Sequence, residues 1–138
     1  MTPKHRTRIA LSLSAAAALL VVAAPGRAQD SPGRQMFTRY CGSCHGPDGK
    51  GDGMLAGMLT QRPADLTQIA KNNGGTFPAQ KVMRYIDGTT GVRAHGSSEM
   101  PVWGEVFKEE LADSPAQKAE VRTKILEIVG YIASIQQK

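Results

Sequence analysis

Cys41-Gly42-Ser43-Cys44-His45 is the stretch on which the reading of this chain turns. It holds both cysteines of the 138-residue sequence, three positions apart and followed at once by a histidine. On a one-turn segment that spacing lets two thiols reach the two vinyl groups of one porphyrin. The adjacent histidine then falls on the face of the ring, where it can ligate iron. Cys-x-x-Cys-His is therefore read as covalent haem attachment, with Cys41 and Cys44 bonding the porphyrin and His45 the metal.

Three other uses of the motif compete with this one. An exported Cys-x-x-Cys can be a redox dithiol, with His45 tuning the thiolate, but no alternation of strand and helix surrounds it. A structural zinc site needs about four ligands, and beyond the motif only His95 and carboxylates remain. A plain disulfide across two residues would be strained and would leave His45 without a role.

Iron bound by His45 calls for a sixth ligand from downstream. Met100 is the first candidate, in the non-helical stretch Glu99-Met100-Pro101-Val102-Trp103-Gly104, where Pro101 fixes the backbone and Trp103 can pack on the ring edge. His95 is the rival. Met36 and Met83 fit a core role better, and Met54 and Met58 lie in a Gly-rich segment. A His/Met pair raises the reduction potential because the soft thioether stabilises ferrous iron. Two strong axial ligands also leave no open site for oxygen or peroxide, so such a haem exchanges electrons.

Upstream of the motif, the chain begins like an address. Lys4, His5, Arg6 and Arg8 precede a small or apolar run from Ile9 to Ala24, broken at Pro25 and followed by Gly26-Arg27-Ala28. That pattern predicts a secretory signal over residues 1–28, cleaved after about Ala28, and a domain over 29–138 in the periplasm. The competing reading is an uncleaved anchor, for which the Ala-rich run is short against a span of ~20 residues. The whole chain carries 17 Lys+Arg and 12 Asp+Glu. Four of the cations and none of the acids fall in the leader, which leaves 13 against 12, or +1. The basicity thus belongs to the export signal and gives no support to nucleic-acid binding.

The remaining residues suffice for one small core with few aromatics, and a buried apolar cofactor would supply bulk that the side chains lack. Helical signals sit at both ends and in the middle. Ser31-Pro32 opens a first helix running toward Cys41. A middle helix begins near Pro78, carries Val82, Tyr85 and Ile86 on one side, and closes at Gly88. Ser114-Pro115-Ala116-Gln117 reads as a capping box for the last helix. There Val121, Ile125, Ile128, Ile132 and Ile135 form one apolar stripe, leaving Lys118, Glu120, Lys124 and Glu127 to water, with Glu120 and Lys124 as an i,i+4 pair. The segments between are rich in Gly and Pro, and none alternates like a strand. Asp48-Gly49-Lys50-Gly51-Asp52-Gly53 reads as a tight turn, lacking most positions of a calcium loop. Lys108-Glu109-Glu110 reads as a solvated helix face.

The domain resembles a bacterial class I cytochrome c along nearly all of its length. The motifs that carry the likeness are Gly33-x-x-x-Phe37, Cys44 to Gly53, Pro63-Ala64-Asp65-Leu66-Thr67, Met100 to Gly104, and Ile128-Val129-Gly130-Tyr131-Ile132. The resemblance implies an all-α cytochrome c-like fold, three main helices plus short ones around one covalent haem c. It implies that the first and last helices cross, with Gly33 permitting close approach and Phe37 packing on Tyr131. It also implies that a proline carbonyl, Pro63 before Pro47, accepts a hydrogen bond from His45. Residues 71–98 carry no firm motif.

The function expected is periplasmic transfer of one electron on a haem ligated by His45 and Met100, without catalysis. Redox proteins are the expected partners: a dehydrogenase or respiratory complex as donor, an oxidase or reductase as acceptor. Membrane contact would come through those partners. Two alternatives are a dedicated cytochrome subunit of an exported dehydrogenase or respiratory complex, and a peroxidase-like haem enzyme or gas sensor with an open sixth site.

Overall fold

Ser31 and Pro32 open the first helix. The Ser31 hydroxyl accepts a hydrogen bond from the Arg34 amide at 3.2 Å, and Pro32 sits in the first turn, where its missing N–H is no loss. Helix α1 spans Pro32–Tyr40 and buries Gly33 and Phe37. The structure, a computed structural model, describes residues 31–89, 100–111 and 115–137. The leader, His95 and Ser114 lie outside them.

Five further helices follow among the described residues: α2 (Gly42–His45), α3 (Ile69–Asn72), α4 (Ala79–Asp87), α5 (Trp103–Glu110) and α6 (Gln117–Ser134). Short 3₁₀ turns cover Ala56–Met58 and Leu66–Gln68, and there is no strand among the described residues. The all-α expectation holds. A fourth long element, α5, joins the three foreseen, and it starts at Trp103, so that of the described residues of the expected non-helical stretch Met100 to Val102 lack helix while Trp103 and Gly104 are helical.

The crossing of α1 and α6 is the main tertiary contact. A Cβ at Gly33 would collide with the backbone carbonyl of Glu127 and lie 2.9 Å from its carbon, so only glycine admits this approach. Phe37 and Tyr131 pack there with ring centroids 5.0 Å apart. Phe37, Phe107 and Ile128 are the largest fully buried side chains, each contributing about 1.5–3 kcal/mol by burial. The stripe of α6 falls inward as read: Val121, Ile125, Ile128 and Ile132 are buried and Ile135 partly so. Met36 and Met83 pack against the same core.

Three local expectations change. Helix α6 starts at Gln117, not Pro115, with Ala116 as its cap residue. The Gln117 side chain turns toward the preceding helix. Its Nε2 donates to the carbonyls of Lys108 (3.1 Å) and Leu111 (3.2 Å), satisfying the end of α5. Lys124 pairs with Glu110 at 2.9 Å instead of with Glu120, because packing α5 on α6 brings a closer acid. Glu110 is accordingly more than a solvated face: it also accepts from the Tyr40 hydroxyl at 2.9 Å, tying α1, α5 and α6 together.

Candidate functional site

The motif turn grows directly out of α1. The Cys41 amide still donates to the Phe37 carbonyl at 2.8 Å, and the Cys41 carbonyl then accepts from the amides of Cys44 (3.2 Å) and His45 (2.9 Å). This one-turn α2 sets both thiols and the imidazole along the same wall. Gly46 closes it at φ 78°, and Gly49 and Gly51 also take left-handed φ values of 75° and 74°. These glycines fold the Asp48–Gly53 turn back over the motif, with the Gly51 amide donating to the His45 carbonyl at 2.8 Å and the Gly53 amide to Cys44 at 3.1 Å.

The wall faces a cavity of about 420 Å³, within the range of small-molecule and cofactor sites. Cys41, Cys44, His45, Pro63 and Met100 all line it. Val82 and Ile86 of α4 and Ile132 of α6 give it an apolar floor. Arg62, Asn73 and Lys81 stand at its exposed rim. The chain thus brings together its five predicted site residues, while His95 lies outside the described ones. Met54 and Met58 do not line the cavity and are 86% and 80% exposed.

Within the site, the Nδ1–H of His45 donates to the Ala64 carbonyl at 3.1 Å, which puts the lone pair on Nε2, the tautomer of a metal-ligating imidazole. The expected acceptor was Pro63, so the position is corrected by one residue. The Pro63 carbonyl is already turned onto Gly51, where a Cβ would strike it. Successive carbonyls of an extended chain point in opposite directions, so the next one meets His45. Pro47, the second choice, accepts from the Tyr131 hydroxyl at 3.2 Å and fastens the loop to α6.

No disulfide joins Cys41 and Cys44. Burial, with a smaller contribution from Cys44, pushes the Cys41 thiol up to about 12. A redox dithiol needs the opposite shift, toward thiolate, so the environment of Cys41 argues against that use. Two thiols and an imidazole in the wall of an apolar cavity fit a covalently held, iron-bearing macrocycle.

The family model for cytochrome c oxidase, cbb3-type, subunit III, matches residues 28–117, more than half of the chain. The chain belongs to that family. Its domain is therefore a monohaem c-type cytochrome, binding covalently attached haem c with iron. No curated protein and no solved structure matches the chain significantly.

Several residues of this cytochrome site carried no sequence motif. Tyr40 lines the cavity with its ring 5.6 Å from that of Trp103, edge to face, beside the residue that the sequence did place at the ring edge. Ile69, Asn72 and Asn73 reach it from α3 and its C-terminal turn, and Lys81 and Tyr85 from α4. Tyr85 was legible only as part of an apolar stripe. Such a stripe says that a helix face is covered, without saying whether another helix or a cofactor covers it.

Proposed function

We propose that this cytochrome carries single electrons in the periplasm, on one haem c bonded through Cys41 and Cys44 and ligated by His45 and Met100. The observation that carries this reading is the convergence of all four side chains on one cavity. Haem c supplies a one-electron ferric/ferrous couple. The protein's part is to hold the imidazole in one tautomer through Ala64, to offer a soft thioether from Met100, and to keep water from the apolar floor. Each of the last two favours the less charged, ferrous state. Arg62 and Lys81 are the rim cations available to the two carboxylates of the ring. The basic and apolar pattern of residues 1–28 supports export, although among the described residues no helix is long and apolar enough to cross a membrane.

The absorption spectrum of the purified holoprotein tests the reading. The weak long-wavelength sulfur-to-ferric-iron band, with no response of the reduced protein to carbon monoxide, is expected, and Met100→Ala should abolish the band. Immediate carbon monoxide binding by the wild type would turn the assignment toward catalysis or sensing. No band and no binding would make His95 the ligand to replace.

A second reading, a cytochrome docked as a subunit of a respiratory complex, is favoured by an exposed apolar surface. Met54, Leu55 and Met58 are 86%, 39% and 80% exposed, and residues 53–61 carry no charge. The Leu55 amide bonds to the Ser43 carbonyl at 2.9 Å, which holds this surface next to the motif turn. The family description, an oxidase subunit, supports the same reading. Co-purification of the chain with an oxidase, lost when Met54 and Met58 are both replaced by lysine, would favour it over a free carrier.

A further inference from the structure

On its C-terminal side, Met100 is tied to residues whose packing is well defined. Pro101 fixes its own φ and restricts the residue before it, so little slack separates Met100 from Val102. Val102 caps α5, and its side chain lies on the bare Cα of Gly88, the left-handed C-cap of α4 at φ 76°. Two residues beyond Val102, Gly104 is buried against the last residue of α4. A Cβ there would lie 2.6 Å from the Asp87 carbonyl oxygen and would also strike the Asp87 carboxylate. Two glycines therefore clasp the start of α5 to the end of α4. Helix α4 in turn lines the cavity through Lys81, Val82, Tyr85 and Ile86. The clasp refers Met100 to the helix that forms the cavity floor.

We infer that Gly104 and Gly88 are positioning residues that set the Met100 sulfur at the iron, by letting Val102 and Gly104 seat directly on Asp87-Gly88. The inference rests on the proposed ligation by Met100. Helix propensity alone favours alanine over glycine at position 104, so the steric contact is the term that opposes the change there. A displaced α5 start carries Pro101, and with it Met100, away from the cavity.

The test uses the haem-loaded full chain and three variants. In Gly104→Ala, haem should stay covalently attached, as seen by haem stain after denaturing electrophoresis. Most of the sulfur-to-iron band should be lost, the reduction potential should fall, and the reduced protein should bind carbon monoxide. Val102→Ala adds no bulk and alters an exposed side chain, so it keeps the test open if Gly104→Ala gives no folded protein; it should weaken the band partially. Gly33→Ala controls for general destabilisation, because it strains the α1–α6 crossing, and it should leave the band intact. Full bands in both clasp variants would overturn the inference, as would equal loss in Gly33→Ala. A wild-type protein without the band removes Met100 as the ligand and the inference with it, an outcome distinct from an intact wild-type band that survives the clasp variants.

Discussion

The carbonyl oxygen of Ala64 lies 3.1 Å from Nδ1 of His45. A backbone group thus helps to orient the imidazole, and the rest of the loop holds that group still. The Leu66 amide donates to the Gly49 carbonyl at 2.7 Å, and the Pro63 carbonyl rests on the Cα of Gly51. The Gly-rich turn after the motif and the Pro63–Thr67 segment brace one another, with His45 between them.

Gly51→Ala should loosen that brace. The left-handed φ of 74° and the contact with Pro63 both oppose a side chain. A loss of about 1–3 kcal/mol is expected in denaturant unfolding. The haem-loaded variant should also show a shifted reduction potential, because imidazole basicity depends on its hydrogen bond. Gly57→Ala, at an exposed position where a Cβ meets nothing within 4 Å, should change neither. An unaltered potential in Gly51→Ala would mean that the loop does not set the histidine.

The α1–α6 crossing predicts opposite signs for two glycines that the sequence displays alike. Gly33→Ala forces a methyl group onto the Glu127 carbonyl and should cost about 1–3 kcal/mol. Gly130→Ala enters open space inside a helix and should stabilise the protein by up to ~1 kcal/mol. Thermal melts of the two variants, measured side by side, decide this. Equal destabilisation would mean that Gly130 serves a contact not seen in the fold.

Those two glycines also mark what the sequence could tell. Gly33, Phe37 and Tyr131 were readable as a crossing through the resemblance to class I cytochromes c, which implies that the first and last helices meet there. Val121, Ile125, Ile128 and Ile132 were readable because burial imposes a period. Cys41, Cys44 and His45 were readable because the chain has only two cysteines and three histidines, whereas Met100, one of six methionines, stood out by its place in a Pro- and Trp-bearing stretch. Ala64 was not, since any residue offers a carbonyl and only the course of the backbone decides which one faces His45. Glu110 was hidden for a related reason. An acid among charges on an exposed helix looks solvated until folding brings Tyr40 and Lys124, distant in sequence, to its carboxylate.

Cys41 and Cys44 should differ in reactivity before haem is attached. With its thiol pushed up to about 12, Cys41 carries almost no thiolate near pH 8 and is buried, whereas Cys44 is partly exposed. Mass spectrometry of the haem-free chain after brief iodoacetamide treatment should find label on Cys44 well ahead of Cys41. In unfolding concentrations of urea the two should react alike. Equal labelling in the native state would place Cys41 outside the wall it shares with Cys44 and His45.

Glu110 adds a pH dependence whose sign is fixed by its partners. Hydrogen bonds from Lys124 first and Tyr40 second hold its carboxyl below the ordinary carboxylate value. A group with a depressed folded pKa stabilises fully above its unfolded pKa, ~4.3 for glutamate, and loses that contribution as pH falls through the folded value. The side chain is about one-third exposed, so solvent screening limits the pair to about 0.2–1 kcal/mol. Urea unfolding of the wild type should therefore weaken on acidification in that window by more than unfolding of Glu110→Gln does. The variant should be less stable at pH 7, and the two curves should converge toward pH 3. Parallel curves across the range would show that the contact of Glu110 with Tyr40 and Lys124 contributes nothing to holding α1, α5 and α6 together.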